Sequence, residues 1–322
     1  MATATIRIIN PPREMSSSPI MSLCARGNFP ESLPHGLEAN WSACSFVSIS
    51  QIAAVAEVQS AVQAHGGSCS CRPSAFIDQY ISRMDYYRLL GINHPEGFKR
   101  HAAEDRFLPL SLIEESGANE VAAQLRATVT SHLAFSPSAI DMIDWAFGEV
   151  LDNVLQHSRT SAPGLACSQY YRMGNYVEVC VVDCGCGIPV SMGRNPSYAA
   201  LDGDALLVRA FERETGEFYG NSDYGTSRVS GGMGLWATAN IIRALGGRIW
   251  SVSLGHAVEV SPTGTSALPG LYYPGTIICM RFPVTDKEIT GDAVLRNGEL
   301  SPVRWSPSDS WSYEGNDDDV LW

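Results

Sequence analysis

Residues 138–157 place the strongest constraint on the fold of this chain. They read SAIDMIDWAFGEVLDNVLQH, and their apolar positions recur with the period of a helix. These positions are Ile140, Ile143, Phe147, Val150, Leu151 and Val154. The stretch therefore predicts an amphipathic helix, and Ser138 followed by Asp141 predicts a capping box at its start.

Two polar residues, Glu149 and Asn153, lie one helical turn apart on this stretch. Residues at this spacing share a side of the helix, here away from most of the apolar stripe. A carboxylate and an amide stacked in this way can hold a hydrated Mg²⁺ and orient a water molecule. A solvated polar face is the alternative interpretation, and the Glu-x-x-x-Asn spacing alone favours it.

The chain is long and hydrophobic enough to form two domains, and its net charge restricts the partners that it can bind. The chain has 322 residues, 45% of them hydrophobic, and a formal net charge of -12. The negative charge opposes nucleic-acid binding. No apolar run is long enough to span a bilayer, and the start resembles no signal peptide. Nine scattered cysteines favour reduced thiols and a cytoplasmic location over a disulfide framework.

Residues 1–100 show the pattern of a small α/β unit. Strand patterns occur at residues 6–9, 45–49 and 68–72, and helical patterns occur at residues 52–62 and 77–87. Alternating strands and helices predict a parallel sheet with helices packed on it. The run FIDQYISRMDYYRLLGI and this order of elements resemble the STAS-like domains of bacterial anti-sigma-factor antagonists. Where that family carries a phospho-accepting serine, Ser50 is interpreted as a helix N-cap.

The rest of the chain divides into three further segments. Residues 101–137 are interpreted as a connector with a helix near 119–133, and residues 138–284 as a second domain. Residues 285–322 are acidic and rich in Ser, Pro and Gly, a composition typical of a disordered tail.

Two glycine-bearing motifs follow the helix of residues 138–157. The first, Asp183-x-Gly185-x-Gly187, ends a strand, and the second, Gly231-Gly232-x-Gly234, opens a helix. An aspartate at a strand end can accept a hydrogen bond from an adenine amino group, and glycines let a ligand approach the backbone. Glycines at a helix N-terminus expose N–H groups to phosphate. Each motif alone also fits an ordinary turn, but their order behind Glu-x-x-x-Asn is a strong joint signal.

Together, these motifs resemble the GHKL ATP-binding superfamily, which includes DNA gyrase B subunits, histidine kinases and anti-sigma-factor kinases. The resemblance implies an α/β sandwich of the Bergerat type, a mixed sheet covered on one face by helices. It implies ATP and Mg²⁺ as cofactors and residues 190–230 as an ATP lid. The implied roles are Mg²⁺ coordination by Asn153, general base catalysis by Glu149, adenine recognition by Asp183 with Thr276, pocket shaping by Gly185 and Gly187, and phosphate binding by Gly231, Gly232 and Gly234.

Three functions are compatible with these motifs. The first is a Mg²⁺–ATP-binding regulatory protein that acts as a protein kinase or as an ATP-gated switch for a partner protein. The second is an ATP-hydrolysing homodimer of the gyrase type, for which residues after 284 offer no recognisable transducer domain. The third is a scaffold with a structural nucleotide site. A protein partner is expected in the first case, and neither nucleic acid nor membrane is expected in any.

Overall fold

The computed structural model describes residues 3–11, 18–100, 103, 106–160, 162–212, 215 and 234–291. The strands in this part are β1 (Ala4–Arg7), β2 (Gly36–Asn40), β3 (Ser68–Arg72), β4 (Phe107–Ile113), β5 (Gly164–Tyr171), β6 (Tyr176–Asp183), β7 (Arg248–Leu254), β8 (His256–Ser261), β9 (Gly264–Ala267) and β10 (Tyr273–Pro283). The helices are α1 (Ile49–Ala64), α2 (Asp78–Arg83), α3 (Tyr86–Leu89), α4 (Ala118–Thr130), α5 (Pro137–His157), α6 (Ile188–Met192), α7 (Gly203–Arg209) and α8 (Gly234–Ala244). Among these helices, none is both long and apolar enough to span a membrane.

The strands form two sheets of different kinds. Strands β1, β2 and β3 form a small parallel sheet in that order. The large sheet has the order β4-β5-β6-β10-β7-β8-β9, and every pairing in it is antiparallel. The predicted α/β fold class, with helices layered on a sheet, is confirmed. The large sheet is antiparallel rather than mixed, and short turns join β5 to β6 and connect β7, β8, β9 and β10 in sequence, a connection that antiparallel strands allow.

Strand β6 shows that both faces of the large sheet are buried. Its side chains alternate, as in any strand, yet all eight residues are buried. Val177, Val179 and Val181 pack with α4, α5 and α8 on one face, here called the front face. Cys180 and Val182 pack with α1 on the opposite face, here called the back face. The helices of residues 138–284 therefore pack on one face, as expected, and α1, which lies outside that segment, covers the other face.

The unit of residues 1–100 shares its core with the large sheet. One hydrophobic cluster joins α1 and the small sheet to back-face residues of six strands of the large sheet, among them Leu165, Cys167, Cys180, Val182, Trp250, Val252, Ile277 and Cys279. In addition, the proposed connector contains β4, the edge strand of the large sheet. Pro109 obscures this strand in the sequence, although edge strands tolerate proline. The domain boundaries predicted at residues 100 and 138 therefore do not coincide with divisions between the hydrophobic cores.

Several local predictions for residues 1–100 need correction. Residues 45–48 form no strand but lead into α1, whose N-cap is Ser48 with a capping box to Gln51, not Ser50. The helix expected over 77–87 is divided into α2 and α3 at Asp85, which has a φ of 62°. Strand β2 was not predicted. The parallel small sheet is as predicted, whereas the STAS resemblance stays a prediction.

Helix α5 and two strands of the large sheet also differ from the sequence prediction. Helix α5 is capped two residues earlier than predicted, because the Ser136 hydroxyl, not that of Ser138, accepts the backbone N–H of Ala139 and Pro137 follows it. Proline suits the first helical position because its missing N–H would have no partner there. Strands β8 and β9 were not predicted.

A fully buried ion pair lies beneath α1 on the back face. Arg281 Nε donates to Glu178 Oε2 at 2.7 Å, and neither side chain is exposed to solvent. Helix α1 adds a hydrogen bond to this pair, because Ser50 Oγ donates to Glu178 Oε1 at 2.9 Å. The Arg281 guanidinium also lies 4.4 Å from the Tyr176 ring centroid and 5.4 Å from that of Trp250. Buried charges need this degree of pairing to offset the loss of hydration.

We expect this pair to show strong coupling in unfolding experiments. Arg281→Leu or Glu178→Leu should each lower the free energy of unfolding by about 3–5 kcal/mol, because each leaves a buried charge unpaired. The double variant should be more stable than either single variant. Arg248→Leu, which breaks the partly exposed pair with Glu259, is the control and should cost about 1 kcal/mol or less. Additive losses in urea denaturation would contradict this interpretation.

Candidate nucleotide site

A cleft lies on the front face where β6 and β10 meet α5 and α8. It holds about 820 Å³ of empty space, including its open mouth, a size typical of small-ligand pockets. Its lining residues are Glu149, Val150, Asn153, Val154, Ser158, Val181, Asp183, Gly187, Ile188, Ser191, Met192, Ala210, Thr215, Gly234, Leu235, Thr276 and Ile278. Six of the predicted site residues therefore line one cavity, and they come from helices and strands far apart in the sequence.

Asp183 is a buried carboxyl at the end of β6. Its Oδ1 atom accepts the backbone N–H of Gly185 at 2.7 Å, so the turn that follows fixes its orientation. Burial raises the pKa of Asp183 to about 7, although hydrogen bonds from Gly185 and Thr276 lower it. A desolvated carboxyl of this kind gains from a ligand that donates a hydrogen bond to it.

Gly185 and Gly187 are required by the close packing of the turn after β6. A Cβ atom on Gly185 would lie 2.2 Å from the backbone oxygen of Ser158, at the end of α5. That oxygen instead accepts the N–H of Cys186 at 2.7 Å. Gly187 has a φ of 76°, a conformation that side chains disfavour. Gly187 lines the cleft, whereas Gly185 holds the turn against α5.

Gly234 brings the start of α8 against α5. A Cβ atom on Gly234 would lie 2.3 Å from the Glu149 Cβ atom, so only glycine allows this approach. The N-terminal end of α8, with its positive dipole end, consequently borders the cleft beside Glu149. Gly231 and Gly232, and residues 213–214 and 216–230 of the proposed lid, lie outside the described residues.

Glu149 and Asn153 both line the cleft from α5. Burial, together with the neighbouring charge of Asp152, raises the pKa of Glu149 to about 7. A carboxyl with this pKa can take up a proton near neutral pH and release it again. The solvated-face interpretation of this helix side is therefore wrong for Glu149, which is largely desolvated.

Ser253 is a buried residue at this site that the sequence analysis missed. Its hydroxyl donates to the Gly275 backbone oxygen at 3.1 Å and accepts the Ile188 N–H at 2.9 Å. It also lies 3.1 Å from the Thr276 hydroxyl. Ser253 thus joins the start of α6 to β10 and orients Thr276. No motif marks it, because its partners lie on other elements.

The apolar walls of the cleft were also missed, although a signal for two of them was present. Val181 and Ile278 line the cavity, and each lies two residues from a predicted site residue, Asp183 and Thr276. Side chains two apart in a strand share a face. The alternation in β6 and β10 therefore could have identified both as neighbours of Asp183 and Thr276 in the cleft.

The donor set fits a cation that is shared with a ligand. Within the described residues, no group of three or more His, Cys, Asp or Glu side chains could hold a metal ion. Mg²⁺ is commonly held by one or two protein oxygens together with substrate phosphates. Asn153, which lines the same cleft as Gly234 at the start of α8, fits this arrangement.

A comparison with protein-family models gives a match to this part of the chain. Residues 140–286 match the family described as histidine kinase-, DNA gyrase B-, and HSP90-like ATPase. This match supports a GHKL-type ATP-binding domain in this segment. The match includes the cleft and the large sheet except β4, and it excludes α1 and the small sheet. Searches of curated proteins and of solved structures found no match.

We expect Asp183→Asn to weaken ATP binding by about 1–3 kcal/mol, because the amide presents an N–H₂ group where an acceptor is needed. The difference from wild type should be larger at pH 8 than at pH 6, because protonated Asp183 resembles asparagine in its hydrogen bonding. Asp141→Asn, on an exposed position of α5, is the matched control. Equal calorimetric affinities of folded Asp183→Asn and wild-type protein would contradict adenine recognition by Asp183.

Proposed function

We propose that the protein is a Mg²⁺–ATP-dependent regulator whose ATPase domain transfers the γ-phosphoryl group to a hydroxyl of a partner protein. The supporting observation is that Glu149, Asn153 and Asp183 line a single cleft in a GHKL-type domain. The regulatory role follows the resemblance to anti-sigma-factor kinases. Control of a partner by ATP binding alone is the second form of this proposal.

The residues of the cleft suit the parts of ATP. Asp183 accepts a hydrogen bond from the adenine amino group, with Thr276 beside it. Val181 and Ile278 provide apolar contact for the ring, and the N-terminal end of α8 favours phosphate charge. Asn153 supplies an oxygen ligand for Mg²⁺, which when bound neutralises charge on the phosphate oxygens.

Glu149 is the general base in this proposal. With a pKa of about 7, its carboxylate accepts the proton of the attacking hydroxyl at neutral pH. Its position is fixed, because Gly234 packs against its Cβ atom. The base therefore lies beside the helix end that would receive phosphate.

Incubation with ATP labelled at the γ-phosphate, with and without candidate partner proteins, tests this function. Label on a partner protein supports the kinase, provided that Glu149→Gln abolishes it. Release of free phosphate at a rate independent of partners would instead indicate the hydrolysing dimer. Retention of intact ATP under all conditions would contradict phosphoryl transfer and favour the switch or the scaffold.

We expect Glu149→Ala and Asn153→Ala to separate chemistry from binding. Glu149→Ala keeps the Cβ atom and should keep ATP affinity within a few-fold, while turnover falls by ~10²-fold or more. Asn153→Ala should abolish the Mg²⁺-dependent part of ATP binding. Affinity with and without Mg²⁺, and single-turnover transfer, measure the two effects. Wild-type turnover by Glu149→Ala would show that Glu149 is not the base.

The pH dependence of turnover should report the ionisation of Glu149. Because the base must be ionised, turnover at saturating ATP should rise with pH through about 7 and then level off. Asp152→Asn removes a negative charge that raises the pKa of Glu149, so the rise should move to lower pH. A profile that is flat between about pH 6 and 8, or one unmoved by Asp152→Asn, would contradict this role.

A further inference from the structure

Helix α1 reaches the nucleotide site from the back face of the large sheet. Its residue Glu57 is completely buried, and Glu57 Oε1 accepts the backbone N–H of Cys184 at 3.2 Å. Cys184 lies between Asp183 and Gly185, the two residues whose mutual hydrogen bond orients the Asp183 carboxyl. A side chain from outside the matched ATPase segment therefore holds the peptide that carries the adenine acceptor.

A second contact connects α1 to the same residue. The Tyr273 hydroxyl donates to the backbone oxygen of Ala54 in α1 at 3.2 Å. It also lies 3.7 Å from the Cys184 sulfur. Cys184 is thus connected to α1 directly through its N–H and indirectly through its thiol. Burial is the principal cause that raises the pKa of Glu57 well above its usual range. Glutamine keeps the length of this side chain and its acceptor oxygen, so it is a close mimic.

We propose that Glu57 is a positioning residue for adenine recognition, through which α1 sets the affinity of the cleft for adenine nucleotides. This inference rests on the proposed nucleotide site. The front face supplies the groups that touch the ligand. Glu57 acts on Asp183 through the backbone of Cys184 and through the repulsion between the two carboxyl charges. The N–H of Cys184 needs an acceptor at this depth, and the acceptor comes from the unit of residues 1–100.

Four variants of the full-length chain isolate this contact. Glu57→Leu removes the acceptor, and Glu57→Gln keeps it. Tyr273→Phe removes only the second connection and leaves the aromatic ring in the core. Gln59→Leu is the matched control, because Gln59 is equally buried on α1 but bonds to Leu37, Ser70 and Tyr86 within residues 1–100.

Hydrogen exchange without nucleotide tests the positioning directly. Glu57→Leu should raise the exchange rates of the backbone amides of residues 184–187 by about tenfold, as expected for the loss of one hydrogen bond. Glu57→Gln and Gln59→Leu should leave these rates within about twofold of wild type, and Tyr273→Phe should give an intermediate increase. Unchanged exchange rates in folded Glu57→Leu would overturn the proposal. If Glu57→Leu does not fold, unchanged rates in Tyr273→Phe would overturn it.

Nucleotide selectivity tests the link to adenine. Glu57→Leu should lower the affinity for ATP by about tenfold and leave that for GTP within about twofold, because Asp183 acts on the amino group of adenine. Glu57→Gln should restore the preference for ATP. Equal losses for both nucleotides would indicate a general destabilisation and overturn the proposal. Absence of ATP binding by wild type would contradict the proposed function itself, and the exchange measurement would still decide whether Glu57 holds the turn.

Discussion

The rest of the structure depends on the need to cover both faces of a seven-stranded antiparallel sheet. Helices α4, α5 and α8 cover the front face, and α1 covers the back face, which carries the buried pair of Glu178 and Arg281. Two charges without solvent contact are tolerated only when their hydrogen-bonding groups find partners. Ser50 of α1 is one of these partners, so α1 provides both apolar cover and polar pairing.

The packing of helices on both faces of the sheet also holds the residues of the candidate site in position. The residues that would touch ATP come from α5, β6, α8 and β10, which are fixed by the front-face core. The turn after β6 is fixed from two sides, by Ser158 at the end of α5 and by Glu57 in α1. Precise orientation of a buried carboxyl such as Asp183 requires such support, because its recognition of a ligand depends on direction as well as charge.

The sequence predicted the residues that could contact the nucleotide better than it predicted the residues that hold them in position. Asp183, Gly187 and Gly234 were identified because each marks a local event, a strand end or a helix start, that leaves a motif. Ser253 and Glu57 leave no motif, since the Cys184 partner of Glu57 lies 127 positions away. The polar residues of α1 suggest a solvated side, yet Ser50, Gln51, Glu57 and Gln59 are all buried. Ser50 and Glu57 find their partners in or beside the large sheet, much later in the chain, whereas Gln51 and Gln59 bond within residues 1–100.

Native-state hydrogen exchange across the whole chain tests the central claim, that α1 and the large sheet form one core, most directly. If they do, amides of α1 and of β6 should open with the same free energy and the same denaturant dependence, as parts of one cooperative unit. Arg281→Leu should then lower both opening free energies by equal amounts. Opening of α1 at a much lower free energy than β6, unaffected by Arg281→Leu, would show that the two parts fold independently and would contradict this account.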